Sequence, residues 1–187
     1  MSFFKKIQER IIPIQPIHPV HLMKPATHIK HEFVDFSSAY RIGITCYFQD
    51  IASQEIINTY KSSLEKLGYE CDVLLFVDKK ERDNTVYLQS FNWDDLDKKT
   101  MLPHSPRTDR FIVKRYDLLL NLFLHDCPPL LYLSYMSHAR CRVSLFTDYF
   151  KECTDLLIPN EEGMNVETLI QRMNKTLKIK PYERKQI

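Results

Sequence analysis

Three runs of this chain, RIGITCYF at 41–48, CDVLLFV at 71–77 and YDLLLNLF at 116–123, are apolar without the alternation of a half-exposed strand. Strands of that kind belong in a sheet covered on both faces, which in general means parallel strands joined by helices. The first two runs are spaced to match. Ile56, Ile57, Tyr60, Leu64 and Leu67 fall between them at helical intervals, with Asp50 or Ser53 as the cap and Gly68 as the left-handed stop. The unit reads β-α-β. RIGITCYF is expected in the middle of the sheet, with CDVLLFV and YDLLLNLF parallel to it on either side.

The remaining elements extend the alternation. TVYLQSF, 85–91, reads as a strand only seven residues after the second run, too close for a helical crossover, so it is expected as an antiparallel edge strand. Residues 92–115 hold Trp93, two prolines and many charges with little periodicity, and read as a long irregular loop. Pro128 and Pro129 open an almost wholly apolar helix, LLYLSYMSHA. In RCRVSLF, Cys141, Val143 and Leu145 alternate with Arg140, Arg142 and Ser144, the mark of a strand with one buried face. DLLIP at 155–159 is a short strand, and Asn165 caps a closing helix with Val166, Leu169, Ile170, Met173 and Leu177 on its apolar side.

The fold class is therefore α/β: a doubly wound, mainly parallel, Rossmann-like sheet of about five to six strands with helices on both faces and one antiparallel edge strand. Residues 31–178 form one domain. Residues 1–30 precede it as a short amphipathic helix and an extended arm with prolines at 13, 16, 19 and 25, and residues 179–187 follow as a frayed basic tail.

Composition bears on function mainly by exclusion. With 187 residues, 27% charged and a net charge of +2, the chain lacks the basic excess of a nucleic-acid binder. Only Gly43, Gly68 and Gly163 are glycine, so no glycine-rich phosphate loop can be assembled. Five scattered cysteines without a CxxC pair point to a reducing compartment. MSFFKKIQERIIPIQP lacks the form of a secretory signal, and no apolar run reaches the roughly 18 residues of a spanning helix. The expected location is the cytoplasm, with no transmembrane segment and no cofactor.

YDLLLNLFLHDCPPLLYLSYMSHARCRVSLF, with YRIGITCYF before it and a helical tail after it, resembles a family of small α/β proteins from Bacteroidetes without an assigned activity, over roughly residues 30–178. The same stretch, over about 116–146, is loosely similar to the N-terminal half of heptosyltransferase-type glycosyltransferases. The first resemblance implies a fold. The second implies a sugar-nucleotide site, but it departs from the pattern because the chain is too short to hold the second domain such an enzyme needs.

In an open α/β sheet, ligands lie beyond the carboxyl ends of the strands. That rim collects Thr45, Cys46 and Tyr47, then Asp78, then Asn121, His125, Asp126 and Cys127. His125, Asp126 and Cys127 contain the residue types of a thiolate with its base. Neighbours on one turn seldom face each other, however, and a helix cap or buried thiol is the plainer reading. Asp78 stands where a dinucleotide enzyme holds its ribose, yet no cradle precedes it, and a solvated turn carboxylate is the simpler role. His18, His21, His28 and His31 lie within fourteen residues, but on extended backbone they do not converge on a metal. Arg107, Arg110, Lys114 and Arg115 cluster near Trp93 and can meet a phosphate, although such a run is more often a solvated face. Asn121, polar in an apolar strand, must find hydrogen bonds; tying down the neighbouring loop is the plainer reading and direct contact with a ligand the other.

The function expected is a non-catalytic binding or interaction module; the alternative is an enzyme or a sugar-nucleotide or phosphate binder. The partner is a protein or a small phosphate-bearing ligand, with self-association through the N-terminal segment as a further option.

Overall fold

In this computed structural model, residues 30–79, 85–151 and 153–182 are described. The N-terminal helix and arm expected before residue 30 lie outside them. In chain order the elements are β1 (Arg41–Tyr47), α1 (Ile51–Lys66), β2 (Glu70–Phe76), β3 (Ser90–Phe91), a 3-10 turn (Trp93–Asp95), α2 (Pro106–Val113), β4 (Leu118–Leu122), α3 (Pro128–Met136), β5 (Cys141–Leu145), β6 (Leu156–Ile158) and α4 (Val166–Thr176). Among the described residues the six strands form one sheet in the order β3-β2-β1-β4-β5-β6, and every pairing is parallel. β1 is central as expected, with Ile44 opposite Val73 on one side and Leu120 on the other. No helix among the described residues is long and apolar enough to cross a membrane.

Alternate residues of each strand serve opposite faces. Ile42, Ile44 and Cys46, with Val73, Leu75, Leu118, Leu120 and Val143, pack with Ile57, Tyr60 and Leu64 of α1 and Leu169, Ile170 and Met173 of α4. Leu74, Phe76, Leu119 and Phe123 pack with Phe111 and Ile112 of α2 and Leu130, Leu131 and Leu133 of α3. α1 begins with a reciprocal capping box between Asp50 and Ser53. It ends in a Schellman turn, with Gly68 N–H donating to Glu65 O, Tyr69 N–H to Leu64 O, and Gly68 at φ 96°.

The structure corrects four expectations. β3 is parallel, not antiparallel, and only two residues long, with Leu75 opposite Ser90 and Phe76 opposite Phe91. The connection from β2 therefore runs over residues 77–89, thirteen in all, which meets the length a parallel crossover requires. Residues 85–88 gain their bonds from Gln54 of α1 instead of a strand. Its Nε2 donates to Thr85 O at 3.1 Å, and its Oε1 accepts from Tyr87 and Leu88 N–H at 3.0 and 3.2 Å.

The loop expected at 92–115 contains α2. Ser105 and Thr108 cap it reciprocally and proline fills its first turn, but eight residues hold too few turns for periodicity to register. β5 is buried on both faces, because Arg142, only 7% exposed, is neutralised by Asp155. The start of the tail is docked. Tyr182 N–H donates to Leu67 O at 2.7 Å and the ring packs against Tyr40 and Tyr69, with centroids 4.8 and 5.9 Å away.

Gly43 lies on the α2/α3 face beneath Tyr116, whose hydroxyl donates to Asp72 at 3.0 Å. A Cβ at position 43 would stand 2.9 Å from Tyr116 Cδ2 and 3.0 Å from Leu119 Cδ1. Gly43→Ala should therefore destabilise the fold by about 1–3 kcal/mol through overpacking. Urea unfolding measures it, and Tyr116→Leu in the same chain should recover part of the loss by vacating the space.

Candidate functional site

Parallel strands point all their carboxyl ends one way, so the loops after β1, β2, β3 and β4 share a rim, and the β1/β4 boundary is where the direction of winding changes. Each of those four strand ends delivers one residue to a common cluster. Asp78, just past β2 and exposed, is its centre. The Tyr47 hydroxyl, at the end of β1, donates to Asp78 Oδ2 at 2.9 Å, and Trp93 Nε1–H, just past β3, donates to Asp78 Oδ1. His125, beyond β4, sets its ring perpendicular to Tyr47 with centroids 4.6 Å apart. Phe76 forms the floor, 5.6 Å from the Trp93 ring and 6.1 Å from that of Tyr47. Burial, followed by the bond to Asp78, pushes the Tyr47 hydroxyl up to about 12, so it is a neutral donor at physiological pH.

Cys127 lies behind this cluster at the amino end of α3, 4% exposed. Burial pushes its thiol up to about 12, leaving almost no thiolate at neutral pH. Cys46 points to the opposite face of the sheet, within the α1/α4 core. Asp126 is half-buried beside Cys127.

Thr45 and Asn121 are not on the rim. Both have no exposure, and they sit opposite each other in β1 and β4. Asn121 Oδ1 accepts from the Thr45 hydroxyl at 2.6 Å, and its two amide hydrogens go to Ser134 of α3 at 2.9 Å and Ser144 of β5 at 2.7 Å. Ser134 passes its own hydrogen to Cys153 O at 3.1 Å, and Ser144 shares a bond of 2.9 Å with Thr154. One amide thus joins three strands, a helix and a turn.

The basic group of 107–115 is spread along α2 instead of being gathered in a loop. Arg107, in its first turn, donates to Ser90 O in β3. Arg110 is exposed on the same helix. Lys114 lies past its end, paired with Glu70 at 2.8 Å and Asp72 at 2.5 Å, where β2 begins and the rim is farthest away. Arg140 does the same between Glu32 and Asp117.

Of the four clustered histidines, only His31 is among the described residues. Its Nδ1 lies 3.3 Å from Asp155, the carboxylate that binds Arg142. Among the described residues no group of three or more histidine, cysteine or acidic side chains is placed to hold a metal. Sequence reading named Tyr47, Asp78 and His125 on the rim and assigned Trp93 to the loop. It had no means of joining them, because Tyr47, Asp78 and Trp93 are far apart in the chain and meet only through strand register.

Two outcomes follow from these contacts. Asn121→Ala strips partners from three buried hydroxyls and should cost about 2–4 kcal/mol in chemical unfolding while leaving the rim intact. Acid should weaken the His31–Asp155–Arg142 corner in two windows. Burial holds His31 below its ordinary 6.5, so the unfolded chain takes up that proton first and stability falls as pH drops through 6.5. Although burial opposes it, the Arg142 bonds hold Asp155 below its ordinary 3.8, so its contribution is present above that value and lost as pH falls through the lower folded one. Stability–pH curves of the wild type and of Asp155→Asn should diverge in slope in the lower window, and parallel curves there would contradict the assignment.

No curated protein matches the chain. Among solved structures it is similar to the glycosyl transferase family 9 protein of Veillonella parvula DSM 2008, with 10% identity and a TM-score of 0.45 over 74% of this chain and 42% of that one. It therefore spans less than half the length of that protein, and the likeness at this level carries no argument. The family model of DUF6913, a family of unknown function, matches residues 21–179, and the chain belongs to that family.

Proposed function

We propose that this domain acts by binding, with the ligand or a partner's segment seated on the carboxyl rim against Tyr47, Asp78, Trp93 and His125. The observation that carries the reading is the convergence of four strand ends on one cluster, in which an exposed carboxylate holds the polar edges of two aromatic side chains and His125 packs on one of them. Aromatic rings offer contact area at little entropic cost, and a fixed carboxylate supplies orientation. Two groups at the rim with catalytic chemistry are poorly poised for it. The Cys127 thiol is buried and protonated, and Tyr47 holds its proton well above neutral pH. Asp126 and Cys127 then support the rim from behind, Thr45, Cys46 and Asn121 support it from within the sheet, and Arg107 and Arg110 flank it on the β3 side.

The same reading takes residues 31–178 as one working unit in the cytoplasm, where five buried cysteines outside any disulfide are at home, with no nucleic acid as partner. Self-association through residues 1–30 stays open to sedimentation analysis.

Amide chemical-shift mapping against a panel of metabolites and short peptides tests the site. Shifts should concentrate at 47–50, 78–79, 93–95 and 124–127. The double variant Tyr47→Phe, Trp93→Phe keeps the ring area but removes both hydrogens from Asp78, and should weaken binding by about 10-fold. Shifts confined to the amino end of the sheet, or unchanged affinity in the double variant, would overturn the assignment.

A further inference from the structure

Resting on the rim reading above, we propose that the group recognised there is an organic cation, an ammonium or guanidinium, and not a phosphate. Three observations converge on that choice. Both hydrogen bonds to Asp78 come from neutral donors, the Tyr47 hydroxyl and the Trp93 indole, so its negative charge is oriented without being cancelled by them. The side chains that hold it are aromatic: their donor edges meet Asp78, and a cation seated on the carboxylate has ring faces beside it, which attract it through their quadrupole. In the third place, the helix ends that would cradle a phosphate at this rim are closed to it.

An anion at a helix start needs free backbone N–H groups and the positive end of the dipole. At α1, which follows β1, the Asp50 carboxylate occupies that position, accepting from Ser53 N–H at 2.7 Å. At α3, which follows β4, Pro128 and Pro129 fill the first two positions, so two of the N–H groups that would face an anion do not exist. These are the two helices that flank the switch point, and each meets an incoming phosphate with a carboxylate or with proline rings. Three of the basic side chains are engaged by partners within the domain. Lys114 and Arg140 are tied into ion pairs at the amino end of the sheet, and Arg107 reaches the Ser90 carbonyl.

Trp93 is the one tryptophan of the chain, so its emission reports on this cluster alone. Spermidine, agmatine and tetramethylammonium serve as cation probes, and inorganic phosphate and a uridine diphosphate sugar as anion probes. At least one cation should change Trp93 emission saturably, with an affinity that falls as sodium chloride is added. Asp78→Asn should weaken it about 10-fold or more at an unchanged melting temperature. Asp148→Asn removes the same charge from an exposed carboxylate outside the cluster, and should bind as the wild type does. Saturation by phosphate or the sugar nucleotide, without saturation by a cation, would overturn the charge assignment and leave the rim reading standing. Equal cation affinity in Asp78→Asn would overturn it as well. Silence of Trp93 toward both classes would do the same, and the amide shift map then decides whether the rim reading falls with it.

Discussion

Burial of β1 on both faces and along both edges is the constraint from which the rest of this architecture follows. A strand with no exposed edge needs two neighbours, and parallel neighbours cannot be reached by a tight turn, so the chain must recross the sheet after each strand. Each helical recrossing aligns a helix start with the carboxyl ends of the strands. The rim is therefore a product of hydrogen-bond geometry before any ligand is considered. Its chemistry is set by whichever side chains stand at or just past the last bonded pair, here Tyr47, Asp78, Trp93 and His125.

The central strands carry polar groups at no evident loss, because each is fully engaged. Thr45, Asn121 and Ser144 lie side by side on adjacent strands, and the hydroxyl and amide hydrogens among them are all directed to acceptors. An isolated amide at this depth would cost several kilocalories; a closed chain of donors and acceptors adds specificity instead, since a slip of one residue in β4 would turn Asn121 toward the α1/α4 core. Arg142 and Asp155 play a similar part between β5 and the start of β6, with the guanidinium gripped by both carboxylate oxygens.

Sequence made the central strands legible because their signal is local: unbroken apolar runs, a cap at Asp50 and a stop at Gly68. What it concealed was non-local. TVYLQSF looks like a strand of seven residues, yet Gln54 of α1 takes the bonds of its first half, and no pattern in 85–91 encodes a partner thirty residues upstream. Arg142 reads as the exposed face of an alternating strand, and only the position of Asp155 makes its burial tolerable. α2 announces itself through the Ser105–Thr108 cap alone, a signal easily lost among neighbouring charges. For the site, Tyr47, Asp78 and His125 could be listed as rim residues by counting from strand ends, whereas the bonds that Tyr47 and Trp93 give Asp78 depend on which strands adjoin.

Asn121 and Asp78 show why a polar residue at a buried or strand-end position cannot be assigned from its type. Asn121 breaks the most apolar strand of the chain, yet its hydrogens are spent on Ser134 and Ser144 and its oxygen on Thr45, with zero exposure. It has little left to offer a ligand. Asp78 looks ordinary between Val77 and Lys79, but each of its oxygens takes a single neutral hydrogen while able to accept more, and it faces solvent. Residual acceptor capacity, combined with a fixed orientation and access, separates a group that builds the fold from one that can recognise something outside it. By that measure the interior of this sheet is complete, and the rim above β1 and β2 keeps unused acceptor capacity facing solvent.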